Sequence, residues 1–403
     1  MITGAADDDP SGIATYSQAG AQFGFGMLWT LLFTYPLMMG IQIVSARIGR
    51  VTGQGLAANI RRYYPPSLLY FIVGLLLVAN TINIAADVAA MGDAVHLVMG
   101  GPAHLYAIGF GLASVLLQVF IPYSRYVRLL KWLTLGLLAY VGTVFAVHVP
   151  WNAVFLHPGD VLGLPWSASH VTTIVAVFGT TISPYLFFWQ ASQEVEELRS
   201  DPAAHPLKCP PAQVKRNFAR IKLDTCIGMA FSNLVAFFIM LTTAVTLHVH
   251  GVSDIQTSAQ AAIALRPVAG QAAFLMFSLG IVGTGMLAIP VLAGSAAYAV
   301  SDALGWRSSL EDKPAMAPRF YTMIAISTLA GMGLIFTPID PIKALYWSAV
   351  VNGVISVPIM TVMMLIVTRT DIMGSLAARP RLKLLGWLST VVMACAVAAM
   401  LLM

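Results

Sequence analysis

The chain is 403 residues long, 58% of them hydrophobic and 10% charged, where an ordinary soluble domain carries about a quarter charged residues. That balance excludes a water-soluble globular protein and calls for a lipid bilayer as solvent. The formal charge of +5 would favour an acidic partner if the basic residues formed one patch, but they lie in short loops between apolar runs, so no nucleic-acid partner is expected.

A spanning helix needs roughly 20 apolar residues. With that ruler the sequence predicts a short, interrupted segment over 1–22, then spans over 26–49, 67–95, 102–120 and 127–149. A second set follows over 169–193, 220–248, 269–300, 319–338 and 343–368, with a last span over 383–402. The expectation is therefore an all-α membrane protein of eleven spans. The longest polar stretches, 194–219 and 249–268, are loop-sized, so the chain is read as a single transmembrane domain. No basic leader precedes the first span, which is expected to serve as its own insertion signal.

Lysine and arginine concentrate on the cytoplasmic side of membrane proteins. With the amino terminus inside, all of the 22 lysines and arginines except Arg266 and Lys343 fall in loops on that side, among them Arg125, Arg128 and Lys131 between the fourth and fifth spans. An inner-membrane location with the carboxyl terminus outside follows as an expectation. Cys209, Cys226 and Cys395 are far apart and lack Cys-x-x-Cys spacing, so neither a disulfide framework nor a zinc site is indicated. The sequence holds no Walker phosphate loop and no His-Glu-x-x-His. Neither an ATPase nor a zinc protease is expected, and no cofactor is called for.

The first segment reads Ala6-Asp7-Asp8-Asp9-Pro10-Ser11-Gly12-Ile13-Ala14-Thr15. Carboxylates in a spanning helix cost roughly 2.5–3.5 kcal/mol each at its centre, and Pro10 and Gly12 weaken a helix there. One reading places Asp7 to Asp9 in solvent as a cap, with the helix starting at Pro10. The other makes this an interrupted helix whose freed carbonyls and Asp9 face a cation. The sixth segment repeats the theme as Gly179-Thr180-Thr181-Ile182-Ser183-Pro184-Tyr185. Broken helices at matching places in two halves point to a midplane site in inverted-repeat transporters. The halves would be 1–149 and 169–368, five spans each, with 383–402 an addition.

At these residues the chain resembles the Nramp family of divalent metal transporters. Asp9-Pro10-Ser11-Gly12 is similar to the family's Asp-Pro-Gly-Asn, and Thr180-x-x-Ser183-Pro184-Tyr185 stands where the family has Ala-x-x-Met-Pro-His. The resemblance runs along the whole chain, including the surroundings of Asp87 and Pro358, and implies a LeuT-type fold of five plus five helices. It implies a metal site at Asp9, Gly12, Thr180, Ser183 and Asn352, and a pathway past Asp87, Tyr185 and Gln190. Where the family has a soft methionine this chain has Ser183, and oxygen donors suit magnesium and manganese, so manganese or magnesium is expected ahead of iron. The chain also looks closer to the Nramp-related magnesium transporters, or a close bacterial branch, than to a classical iron and manganese importer. The family histidine is Tyr185, the acidic pair of the third span is reduced to Asp87 with Ala90, and the ninth-span arginine corresponds to Met323. Uncoupled, voltage-driven uptake is the expectation. Only eight residues precede Asp9, so either translation begins upstream or the first half-helix is short.

Asn80, Asn83 and Asp87 form a polar stripe on the third span, and intramembrane carboxylates are functional by default, although structural pairing is the competing reading. Glu194, Glu196 and Glu197 end the sixth span, as an acidic vestibule or as a solvated helix end. His248 and His250 could collect metal outside or simply sit at the interface. Two rival functions are an organic-solute carrier on the same fold and a membrane scaffold without transport.

Overall fold

Proline sets where these helices begin. The computed structural model describes residues 9–121, 137–154, 167–200, 206, 214–310, 312–333 and 339–403, and six of its helices open on proline, whose fixed φ and missing N–H suit the first helical position. They are α1 (Pro10–Phe23), α4 (Pro66–Met99), α8 (Pro184–Ser200), α11 (Pro318–Gly333), α12 (Pro341–Thr368) and α13 (Pro380–Leu402). Between them lie α2 (Leu28–Thr52), α3 (Leu56–Tyr63), α5 (Ala103–Phe120), α6 (Leu138–Ala146), α7 (Ala168–Thr181), α9 (Val214–Thr246) and α10 (Ala273–Leu304). Glycine stops two of the long ones, Gly53 after α2 and Gly305 after α10, both left-handed with φ of 68° and 72°, a conformation that costs glycine nothing. Among the described residues there is no strand.

Eight helical stretches among the described residues are long and apolar enough to cross a membrane. One of them joins α1 to α2 through a single 3-10 turn, Gly24–Met27, and another joins α7 to α8 across a break. The segment expected over 127–149 meets α6, with 122–136 and the basic cluster Arg125, Arg128 and Lys131 outside the described residues. The segment expected over 319–338 meets α11, with 334–338 outside them. Residues 1–8, including Asp7 and Asp8, and Cys209 also lie outside.

Two expectations change. The stretch 194–219 is not a loop throughout, because α8 continues to Ser200 and α9 starts at Val214. Ion pairs described below hold that polar helical end, which a hydrophobicity ruler cannot see. The amphipathic α3 was not anticipated either, since eight residues fall far short of a span; it buries Leu56, Ala57 and Ile60 and leaves Arg61 and Arg62 outside.

The core is built by α10 against α4, α7 against α12, α9 against α1 and α2, and α8 against α2. The α7–α12 approach depends on Gly179 and Gly353. A Cβ on Gly179 would strike the Ala349 carbonyl and the Gly353 backbone, and one on Gly353 would lie 2.8 Å from the Val175 carbonyl. Small residues permit such close helix contact in membranes. The outward faces carry Leu32, Phe120, Phe145 and Leu384, each more than 70% exposed, a surface that a bilayer accepts and water would not.

Candidate metal site

Asp9 caps the amino terminus of α1. Its Oδ1 accepts hydrogen bonds from the Gly12 N–H at 2.9 Å and from the Ser11 hydroxyl at 2.6 Å, the arrangement that Asp favours at this position. The positive end of the helix dipole also favours a carboxylate there. Asp9 is only 1% exposed, so the helix does start at Pro10, yet its cap is buried within the bundle and is not a solvated one.

The wall opposite is the break between α7 and α8. Ile182, at φ −114° and ψ 61°, leaves the helical conformation after Thr181, and α8 resumes at Pro184, which has no N–H to continue the ladder. Tyr185, one residue into α8, donates its hydroxyl to Asp9 Oδ2 at 3.2 Å. The hydroxyls of Ser11 and Thr180 meet at 3.4 Å. A Cβ on Gly12 would lie 3.3 Å from Thr180 Oγ1 and 3.7 Å from Asp9 Oδ1, so a side chain at position 12 would point at the carboxylate. Asp9, Gly12, Thr180 and Tyr185 therefore come together from the two interrupted segments.

Ser183 and Asn352 are placed differently. The Ser183 hydroxyl turns back to the carbonyls of Thr180 (2.8 Å) and Gly179 (3.1 Å), occupying two acceptors that the break would otherwise free. Asn352 exchanges amide hydrogen bonds with Asn83, at 3.0 and 3.2 Å. One turn along α12, Ser356 donates to the Ile182 carbonyl at 2.8 Å, so α12 braces the break. Gln190 is buried further along α8, 7% exposed.

The polar stripe on α4 splits in use. Asn80 donates to the Leu292 carbonyl and to Ser295 on α10, both at 2.8 Å, and Asn83 holds Asn352. Asp87 is fully buried, and neither carboxylate oxygen has a hydrogen-bond partner among the described residues. It is close enough to Asp9 for the two charges to repel. An unpaired buried carboxylate is costly, and a like charge in the same region adds to the cost. A divalent cation beside Asp9 would offset both.

The polar atoms gathered here are oxygens: the Asp9 carboxylate and the hydroxyls of Ser11, Thr180 and Tyr185. Among the described residues no group of three or more His, Cys, Asp or Glu could hold a metal. The His248 and His250 rings each meet a different backbone carbonyl through Nδ1, Ala21 at 2.8 Å and Thr246 at 2.7 Å. Sequence reasoning missed Ser11 and Ser356. Ser11 was readable as a polar residue within one turn of a capping aspartate; Ser356 carries no local signal, because its partner lies 174 residues away.

At the acidic end of α8, Glu194 and Glu196 are buried while Glu197 is exposed. Glu194, 5% exposed, accepts from Arg220 of α9 at 2.9 Å and lies 4.0 Å from Arg50 of α2. Glu197 also pairs with Arg220. Glu196 accepts from Tyr298 at 3.0 Å and Ser309 at 2.8 Å.

A family model described as natural resistance-associated macrophage protein-like, Nramp, matches residues 1–403. The divalent metal cation transporter MntH of Erwinia tasmaniensis is 29% identical over 284 residues, which cover 69% of this chain and 65% of that relative. The chain thus spans just under two thirds of the curated relative's length. A crystal structure of the Eremococcus coleocola manganese transporter, in complex with an aromatic bis-isothiourea substituted compound, superposes with a TM-score of 0.75 at 14% identity, over 99% of this chain and 85% of that one. Mhp1, a nucleobase-cation-symport-1 family transporter in a closed conformation, superposes with a TM-score of 0.54 at 15% identity, over 97% of this chain and 91% of its own. At those identities the two structures establish a shared fold.

Proposed function

The chain belongs to the Nramp family, and from that premise we propose that it carries divalent metal ions across a membrane by alternating access. The observation that carries the reading is the buried carboxylate of Asp9, held at the start of one interrupted helix and facing the break of another through Tyr185 and Thr180. The MntH relative is described as a divalent metal cation transporter, and the Eremococcus coleocola structure is of a manganese transporter. Both descriptions agree with this substrate class.

The finer reading is of eleven spans, two inverted sets of five and one added helix, with the amino terminus inside an inner membrane. Asp9 is the principal ligand, with Thr180 and Ser11 beside it and Asp87 as a second negative charge. Ser183 and Ser356 shape the break through their hydrogen bonds, and Asn352 ties α12 to α4 through Asn83. Oxygen donors without a thioether favour manganese or magnesium over softer ions. A negative-inside potential contributes about 2.3 kcal/mol per charge per 100 mV, so a dication can be drawn inward without a proton partner. An anionic organic substrate is disfavoured, because its carboxylate would need the helix amino terminus that Asp9 already caps.

Manganese uptake into proteoliposomes, competed by magnesium and indifferent to amino acids, is the expected result. Competition by amino acids would support an organic-solute carrier, and no uptake by folded protein a scaffold.

A further inference from the structure

Away from the helix break, a groove of about 310 Å³ opens between α2, α9 and the start of α13. Its mouth carries Arg47, Lys222, Arg379 and Arg381, and its floor is apolar, with Phe218 and Leu385 among its residues. Among the described residues no acidic side chain lines it. Arg47 and Arg379 are close enough to repel each other, and among the described residues Lys222, Arg379 and Arg381 form no ion pair. Arg47 is fixed in place: it donates to the Leu376 and Ala377 carbonyls at 2.7 and 3.3 Å and lies 4.1 Å over the Phe218 ring. The uncompensated charge is therefore built into the wall.

The helices that flank the groove continue as apolar outer faces. Leu223 and Ile227 on α9 are 61% and 46% exposed, and Leu384 and Leu388 on α13 are 72% and 44% exposed. A cationic pocket that grades within about two helical turns into exposed leucine and isoleucine has the polarity profile of an anionic phospholipid, headgroup above and acyl chain below. Basic pockets between membrane helices bind such headgroups. We propose that this groove is a binding site for an anionic phospholipid of the leaflet at that end of the bundle. Its contacts would tie α13 to α2 and α9. The proposal rests on the membrane-spanning character of the helices and is independent of what the protein transports.

The test uses the purified full chain in mild detergent with phosphatidylglycerol, phosphatidylcholine or inorganic phosphate added, read by native mass spectrometry and thermal unfolding. Retention of one phosphatidylglycerol, a raised melting temperature with that lipid alone, and no effect of phosphate are expected. The triple variant Lys222→Gln, Arg379→Gln, Arg381→Gln should keep the wild-type melting temperature in phosphatidylcholine while retention falls at least tenfold, since each interfacial cation is worth about a factor of five in binding. Equal retention of the two lipids, a phosphate effect equal to that of phosphatidylglycerol, or undiminished retention by the triple variant would overturn the proposal. Should the triple variant melt early in phosphatidylcholine, Lys222→Gln alone is to be compared, with a severalfold loss of retention expected and an unchanged value counting against the site.

Discussion

The hydroxyl of Tyr185 donates to Asp9 Oδ2 at 3.2 Å, so the two interrupted segments are joined by a hydrogen bond to the carboxylate proposed to hold the cation. A hydrogen bond to a charged group is worth about 1.5–3 kcal/mol, and on that proposal it competes with the metal. Tyr185→Phe should therefore lower the manganese KM, by about three- to tenfold, with little change in maximal rate. A raised KM in radiotracer uptake would mean that the phenol oxygen is itself a ligand.

Ser183 spends its hydroxyl on the Thr180 and Gly179 carbonyls. Ser183→Met would release those acceptors and supply a thioether, which suits softer metals. Competition assays should show cadmium inhibiting manganese uptake more strongly in this variant than in the wild type. An unchanged ratio of cadmium to manganese inhibition would remove position 183 from the determinants of selectivity.

Asn83 and Asn352 satisfy each other, each 1% exposed or less. Asn352→Leu leaves the Asn83 amide buried and unpaired, at a cost of about 1–3 kcal/mol, while Asn83→Leu with Asn352→Leu should restore part of the loss. Thermal unfolding of the singles and the double reads the difference. A fully additive pair would mean that the two amides do not depend on each other.

Arg220 holds the buried Glu194 at 2.9 Å. Removing one partner of a buried pair leaves an uncompensated charge, and because the Arg220 side chain is 34% exposed water offsets part of it. Arg220→Ala should destabilise by about 1–3 kcal/mol, visible as an earlier thermal transition, and Arg220→Gln by less.

What could be read in the sequence follows from range. Apolar runs and prolines are local, so the long helices were legible to within a few residues of their starts at Pro66, Pro341 and Pro380, as was the interruption at Pro184. Asp9 was legible too, because a carboxylate beside a proline in an apolar segment is too costly to keep there unless a cap or a cation holds it. The partner of each polar group was not: the match of Asn352 with Asn83 spans 269 residues. Glu194 looked like a solvated helix end for the same reason, its arginines lying on two other helices. The direction of a side chain was equally hidden, and Ser183, which stands at the family's ligand position, folds back on its own chain.

If Asp9 holds the transported ion, voltage-driven manganese uptake into proteoliposomes, wild type against Asp9→Asn, is the decisive comparison. Wild-type uptake should rise with an inside-negative potential without acidifying the lumen. Asp9→Asn should lose at least about a hundredfold, the scale of a charged ligand lost from a buried site, while its melting temperature stays near that of the wild type. Manganese uptake by a folded Asp9→Asn protein at the wild-type rate would contradict the assignment of Asp9 as the ligand.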